Sequence, residues 1–155
     1  MKWNNFDLQI ACKNTINIPN IMKFQCWIKN IFIYLQIKNN ITIRLVDKEE
    51  SCKLNLMYRK KNNSTNILSF PFEQFPFIKL PLLGDLVICF PLIEEESIQQ
   101  GKTIEFHLLH IIVHGILHLL GYTHNKRYEA KKMEFIEIKI MSILGYPNPY
   151  YICEK

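Results

Sequence analysis

HGILHLLGYTH, residues 114–124, is the stretch of the sequence that decides both the fold and the chemistry. His114 and His118 are four residues apart, which on a helix places both imidazoles on one face with their Cβ atoms roughly 6 Å apart. Gly121 can end the helix in a left-handed cap, so that the chain turns and brings His124 beside the other two. Three imidazole nitrogens suit one zinc-type ion at about 2.0–2.1 Å and leave a fourth position open for water, as in catalytic sites. The segment therefore predicts a metal site on these three histidines.

The alternative for a histidine on an apolar helix face is a hydrogen-bonded core residue. Three histidines at this spacing, with a glycine between the second and the third, favour the metal site over packing alone. His110 falls on the same face four residues before His114. It is expected either to lie in the core or to contact a ligand histidine indirectly. His107 is expected to face solvent or a neighbouring helix.

The frame H-x-x-x-H-x-x-G-x-x-H also occurs in the metzincin proteases, and one position separates this chain from them. Those enzymes carry Glu directly after the first histidine, as the general base for peptide hydrolysis. Here that position is Gly115, which has no side chain. The sequence therefore retains the metal site and argues against a metallopeptidase.

The composition is that of a globular protein: 155 residues, 48% apolar and 21% charged, which predicts one domain over residues 1–155. The most apolar stretch, residues 108–120, is interrupted by histidines and is too short to span a bilayer. The first residues lack the apolar region of a signal peptide, so a cytoplasmic protein without a membrane partner is expected. Five scattered cysteines without a Cys-x-x-Cys pair predict reduced thiols. The net charge of +5 suits a polyanionic partner, although the Ile, Asn and Lys bias is also typical of an AT-rich genome.

Hydrophobic periodicity predicts an α+β fold, in which a small mixed sheet of about four strands is packed by helices and the metal site lies at the end of a long central helix. Strands are predicted at residues 6–11, 41–45, 66–70 and 85–90, and helices at 20–35, 47–59, 103–121 and 128–144. Asn20 and Thr103 are expected to cap their helices, and Asp47 with Glu50 has the spacing of a capping box. The Pro-rich residues 71–81 are expected to form a loop. One stripe of the last helix consists of Ala130, Met133, Glu137, Ile140 and Leu144.

HGILHLLGYTH resembles the H-G-x-L-H-L-x-G-Y-D-H signature of the YbeY family of bacterial rRNA maturation endoribonucleases. Three further blocks are similar to the family in the same order. They are LNLMYRKKNNSTNILSFPFE at residues 54–73, LLGDLVIC at 82–89, and the C-terminal helix with its L-G-Y-x-x-P-Y ending at 129–150. The resemblance runs from about Arg44 onward, whereas the first forty residues carry little family signal.

The resemblance implies a zincin-like fold, one divalent metal on His114, His118 and His124, and cleavage of single-stranded RNA. The metal would be Zn²⁺, with Ni²⁺ or another transition metal as the alternative. The resemblance also implies 16S rRNA 3′-end maturation and ribosome quality control. The 30S or 70S ribosome and ribosome-associated proteins would then be partners.

Arg59 matches the arginine that is functionally important in the family. A guanidinium binds phosphate in a bidentate manner and stays charged, which suits a catalytic and substrate-binding role. Without the resemblance, Arg59 would be interpreted as a cation that stabilises the end of a helix. Lys60 and Lys61 extend the positive charge; a solvated run of charges is the default interpretation, and contact with the RNA backbone, for which Lys61 is the candidate, is the alternative. The hypothesis is that water at the open metal position attacks phosphorus while Arg59 stabilises the developing charge, with attack by the RNA 2′-hydroxyl as the alternative.

Two departures from the family pattern concern the surroundings of the site. Thr123 stands where the family usually has Asp, and it can hydrogen-bond a ligand histidine but carries no charge. Lys126, Arg127, Lys131 and Lys132 occupy a stretch that is often acidic in relatives, which indicates either drift in an AT-rich genome or stronger RNA contact. A rival function has the same residues: a non-catalytic small-subunit assembly factor in which the metal is structural.

Overall fold

In the computed structural model, which describes residues 6–72 and 82–151, four strands and five helices follow one another along the chain. The strands are β1 (Phe6–Ile10), β2 (Asn40–Val46), β3 (Ile67–Pro71) and β4 (Leu82–Cys89). The helices are α1 (Ile21–Leu35), α2 (Lys48–Arg59), α3 (Phe90–Gln100), α4 (Ile104–Leu119) and α5 (Arg127–Ile143). The loop predicted at residues 71–81 lies almost entirely outside the described residues.

The strands form one mixed sheet in the order β1-β2-β4-β3. The first three of these are parallel, and β3 pairs antiparallel with β4 at the edge, with Leu68 opposite Val87. The prediction of an α+β fold with a small mixed sheet of about four strands is therefore confirmed.

The alternation of side chains along the strands gives the sheet two buried faces. Ile43 and Leu45 of β2 join Leu86 and Ile88 of β4 in the main core, to which α1 and α4 also contribute. On the other face, three buried side chains form a smaller core beneath Leu54 of α2: Val46, Leu68 and Val87. The sheet thus separates α2 from α4, and the chain must pass around the edge near β3 to bring their ends together.

Helix α4 approaches the sheet closely because Gly115 faces it. A Cβ atom at this position would lie 2.6 Å from Cδ1 of Ile67 and 2.9 Å from Cδ2 of Leu86. Both distances are shorter than carbon atoms tolerate, so a larger residue would require the ends of the Ile67 and Leu86 side chains to shift. The position that holds the general base in the metzincin frame therefore faces the core here.

Two of the three predicted helix caps are present. The side chain of Asn20 accepts from the N–H of Met22 at 2.8 Å, and that of Thr103 accepts from the N–H of Phe106 at 3.2 Å. Both residues have extended backbone conformations, as N-cap residues do.

The capping box predicted at Asp47 and Glu50 is wrong. Asp47 precedes α2 but makes no side-chain cap, because its carboxylate accepts from the N–H of Lys13 at 3.1 Å. Glu50 receives both of its hydrogen bonds from Arg44, at 2.7 and 3.0 Å. Partners from β2 and the segment after β1 thus take both carboxylates away from the helix N–H groups.

Helix α3 is absent from the sequence-based prediction, which extends a strand to residue 90 and begins the next helix at Thr103. The strand ends at Cys89, and the buried side chains of α3 are Phe90, Ile93 and Ser97. Two signals mark this helix: a proline in its first turn, Pro91, and Gly101 with a φ of +65° at its end.

Within the described ranges, no helix combines the length and apolar character needed to cross a membrane. In the same residues Cys12, Cys26, Cys52 and Cys89 have free thiols.

Candidate metal centre

The end of α4 turns the chain back toward its own histidines. Gly121 has a φ of +96°, and its N–H donates to the carbonyl of His118 at 3.0 Å. The N–H of Tyr122 donates to the carbonyl of Leu117, also at 3.0 Å, which completes a Schellman motif. The predicted left-handed cap at Gly121 is therefore confirmed, and it brings His124 beside His118.

The three predicted ligands form a compact cluster. The Nε2 atoms of His114 and His118 lie 3.0 Å apart, and one ring nitrogen from each of the three residues lies within 4.8 Å of the others. Tetrahedral bonds of about 2.0–2.1 Å would place such nitrogens about 3.3 Å apart. His124 is on an exposed loop, whereas His114 and His118 are partly buried. The donor set and its spacing could hold one metal ion.

A carboxylate that the sequence analysis did not assign to the site lies beneath this cluster. Glu137 of α5 is fully buried, and its Oε1 lies 2.9 Å from Nδ1 of His114. Its Oε2 lies 2.5 Å from Nε2 of His110 and accepts from the hydroxyl of Tyr150 at 2.5 Å. The sequence contains a signal for this residue, because a glutamate on an otherwise apolar stripe needs buried partners. His110 and His114 thus share one carboxylate, which connects His110 to the ligand cluster indirectly.

The hydrogen bond to Glu137 fixes the orientation of the His114 ring. Because a carboxylate accepts, Nδ1 of His114 carries the proton of this bond, and Nε2 faces Nε2 of His118. Burial opposes ionisation of Glu137, but hydrogen bonds from His110, His114 and Tyr150 outweigh it and lower its pKa to about 2. The carboxylate is therefore ionised at neutral pH.

Two further groups are shifted by the same surroundings. Burial, followed by the hydrogen bond to Glu137, raises the pKa of the Tyr150 hydroxyl. Burial, followed by the proximity of His114 and His124, lowers the pKa of His118. A neutral imidazole is the form that binds a metal.

The cluster opens into a cavity of about 280 Å³. Besides the histidines, its wall includes the polar side chains of Arg59, Thr65, Asn66, Ser69 and Tyr150. Arg59 thus comes from the end of α2 to the same cavity as the histidines of α4, although the sheet separates the two helices. Lys61 is exposed in the following turn and is not part of the cavity wall.

The loop between α2 and β3 is held in place by hydrogen bonds to buried polar residues of α2. The hydroxyl of Ser51 donates to the carbonyl of Thr65 at 2.9 Å and accepts from its N–H at 3.0 Å. Asn55 donates through Nδ2 to the carbonyl of Asn63 at 2.9 Å. These contacts explain why a glycine-free loop keeps Arg59 and Asn66 at the cavity.

The remaining predicted residues lie around this arrangement. The hydroxyl of Thr123 donates to Glu129 of α5 at 2.5 Å rather than to a histidine of the cluster. His107 is buried against α3, where its Nε2 lies 2.9 Å from Oε1 of Glu96. Of the two locations expected for His107, the neighbouring helix is therefore the one observed.

Comparison with known proteins gives two findings. The chain matches the family model described as Endoribonuclease YbeY over residues 9–145. It is also similar to the solution structure of TM1509 from Thermotoga maritima, with a TM-score of 0.58 and 20% sequence identity. That match covers 94% of this chain and 99% of the other. At this level of identity, the structural likeness shows a common fold.

Proposed function

The chain belongs to the YbeY endoribonuclease family, and on this basis we propose that it is a metal-dependent endoribonuclease specific for single-stranded RNA. Its role would be 16S rRNA 3′-end maturation and ribosome quality control in the cytoplasm, on 30S or 70S ribosomes and with their associated proteins. One domain over residues 1–155 would carry the activity. The observation that supports the proposal best is that three histidine nitrogens and a guanidinium share one cavity.

His114, His118 and His124 would hold the ion, for which Zn²⁺ is the first candidate and Ni²⁺ or another divalent transition metal the alternative. When bound, such an ion supplies Lewis acidity toward a phosphoryl oxygen and lowers the pKa of water. Glu137 keeps Nδ1 of His114 protonated, so that Nε2 is the nitrogen available to the ion.

Arg59 would bind the scissile phosphate. In the described residues its guanidinium has no carboxylate partner, and it lies on the cavity wall with its donors free for a phosphodiester. Asn66 and Ser69 add an amide and a hydroxyl to the same wall, which suits the remaining phosphate oxygens or a ribose hydroxyl. In this arrangement Arg59 stabilises negative charge that increases as the phosphorus gains a ligand.

Glu137 is not placed to act as a general base. Its two oxygens already accept from three donors, and it is sealed from the solvent. Among residues 6–72 and 82–151, no Asp or Glu belongs to the cavity wall. The contribution of the protein chain itself would therefore be to bind phosphate, to orient His114 and to favour the neutral imidazole of His118 through burial.

The test uses a single-stranded RNA that spans the 16S 3′ end, incubated with the purified protein with and without chelator. His118→Ala should lose both metal and cleavage. Arg59→Ala should retain metal, measured by atomic absorption, and lose about 10²–10³-fold in kcat. Lys53→Ala, an exposed position on the same helix as Arg59, is the matched control and should cleave as the wild type does.

Cleavage of equal rate in all samples would identify a contaminating nuclease and contradict the proposal. Metal binding without cleavage in any sample would instead favour the non-catalytic assembly factor with a structural metal.

A further inference from the structure

The outward face of α5 carries a stripe of alternating aromatic and basic residues. Tyr128, Lys132, Phe135 and Lys139 follow one another at intervals of four, three and four residues, which places them in one row on a helix. They lie on the side of α5 opposite to its buried residues, which include Met133, Glu137 and Ile140. We refer to these four residues as the α5 stripe.

The aromatic rings of the stripe are exposed to the solvent. Tyr128 is 67% exposed and Phe135 is 61% exposed. The Nζ atom of Lys139 lies 5.6 Å from the ring centroid of Phe135, and that of Lys126 lies 6.0 Å from Tyr128. These contacts hold each ammonium beside a flat aromatic ring. A nucleotide can bind both groups at once, because its phosphate attracts the ammonium and its base can stack on the ring.

The lysines of this region have no carboxylate partner, in contrast to three paired lysines that can serve as a reference. Three lysines elsewhere each pair with a carboxylate: Lys23 with Glu105, Lys48 with Glu95 and Lys53 with Glu49. In the described part of the chain, no carboxylate pairs with Lys126, Lys132 or Lys139. Their charge therefore remains available to an anionic partner.

The stripe begins at the rim of the candidate metal centre. Lys132 lies 5.8 Å from the ring centroid of Tyr122, which is two residues before His124. The hydrogen bond from Thr123 to Glu129 fastens the same loop to the first turn of α5. From Tyr128 to Lys139 the helix rises about 16 Å, a length that spans several nucleotides of an extended strand.

We propose that the α5 stripe, together with Tyr122 and Lys126, binds the part of a single-stranded RNA that leaves the cavity past His124. The three lysines contact phosphates, and Tyr128 and Phe135 stack on unpaired bases. The identity of this strand rests on the proposed function, whereas the surface itself is defined by its own charges and exposed rings.

The experiment measures binding of a fluorescent 20-nucleotide single-stranded RNA, and of a duplex of equal length, at several salt concentrations. Chelator is present throughout, so that cleavage does not interfere. One variant carries Lys126→Gln, Lys132→Gln and Lys139→Gln. Its matched control carries Lys23→Gln, Lys48→Gln and Lys53→Gln, which removes the same number of charges from paired positions.

The stripe variant should bind single-stranded RNA about tenfold more weakly than the control. Its slope of log K against log salt should be smaller by about 2, since each phosphate contact on a single strand contributes about 0.7. A second variant, Tyr128→Leu with Phe135→Leu, keeps the apolar surface and the helix propensity but loses the flat rings. It should weaken single-strand binding about tenfold and leave duplex binding unchanged, because duplex bases are not free to stack on it.

Circular dichroism and thermal melting check that all variants are folded, which is expected because every substituted position is exposed. Binding of single-stranded RNA by both stripe variants at the level of the paired-lysine control would overturn the proposal. The wild-type cleavage assay separates the two claims. If the wild type cleaves RNA and the stripe variants bind normally, only the stripe is refuted; if it binds through the stripe without cleaving, only the catalytic function is refuted.

Discussion

Helix α4 has a carboxylate–histidine contact on each of its flanks. The two contacts differ in the surroundings of the histidine nitrogen that does not face the carboxylate. Toward α5, Glu137 is fully buried and holds His114, whose other nitrogen faces the candidate metal position. Toward α3, Glu96 is partly exposed and lies 2.9 Å from Nε2 of His107. Nδ1 of His107 is buried without a hydrogen-bond partner in the described residues.

The two contacts therefore have different electrostatic characters. Glu137 receives three hydrogen bonds and remains ionised, so a buried negative charge lies directly behind the ligand cluster. Burial lowers the pKa of His107, against the raising effect of its hydrogen bond to Glu96. A protonated His107 would also have an N–H without an acceptor. The same pair of residue types thus orients a candidate metal ligand on one flank and joins two helices on the other.

The largest expected difference between the flanks concerns metal affinity. Glu137→Gln removes the negative charge behind His114 and replaces one of the two accepting oxygens by an NH2 group, which donates. Metal affinity should fall about 10–100-fold, as it does when the outer partner of a ligand histidine is changed. Competition with a chromogenic chelator measures the dissociation constant without any need for catalysis.

Glu96→Gln is the matched substitution on the other flank. Its metal affinity should stay within about twofold of the wild type, because His107 does not belong to the ligand cluster. If both glutamine variants lost metal equally, the two contacts would have the same role and the distinction drawn above would be wrong.

A smaller effect is expected at Tyr150, which donates the third hydrogen bond to Glu137. Tyr150→Phe removes one donor to a buried charge and should lower the free energy of unfolding by about 1–2 kcal/mol. Metal affinity should fall less than in Glu137→Gln, since His114 keeps its carboxylate partner. Chemical denaturation and the same chelator competition measure the two quantities.

Tyr151→Phe provides the control for this substitution, because the neighbouring ring is 71% exposed. Its free energy of unfolding should be unchanged within about 0.5 kcal/mol. Equal destabilisation by the two substitutions would show that the Tyr150 hydroxyl contributes no more to the free energy of unfolding than the exposed hydroxyl of Tyr151.

The sequence predicts those parts of the molecule whose signal is local. The cap at Asn20, the cap at Thr103 and the left-handed turn at Gly121 each depend on a few adjacent residues, and all three are observed. The cluster of three histidines follows from one helix and one turn in the same way. The capping box at Asp47 failed because Lys13, 34 residues away, competes for the carboxylate.

The parts that the sequence left unassigned are those that only the tertiary structure brings together. Glu137 is 23 residues from His114 and Tyr150 is 13 residues from Glu137, so no spacing rule connects them. Arg59 lies on the wall of the cavity, whereas helix position alone favoured a role at the end of α2. Neither Glu137 nor Arg59 could be placed at the site from local sequence patterns alone, because such patterns do not show which helices pack beside one another.

The smallest expected effect concerns the flank toward α3 and depends on pH. Because the pKa of His107 is lowered on folding, the unfolded chain binds a proton more readily, and the folded state loses stability as pH falls below the ordinary histidine value of about 6.5. His107→Gln keeps an N–H for Glu96 but does not titrate. The unfolding free energy of the wild type should therefore decrease more steeply than that of the variant between pH 8 and pH 5, measured by urea denaturation with chelator present. The other histidines titrate in both proteins, so the difference between the two curves isolates His107. Parallel curves would mean that folding leaves the pKa of His107 unchanged, and a shallower decrease for the wild type than for the variant would mean that His107 is protonated in the folded state; either result would contradict the prediction.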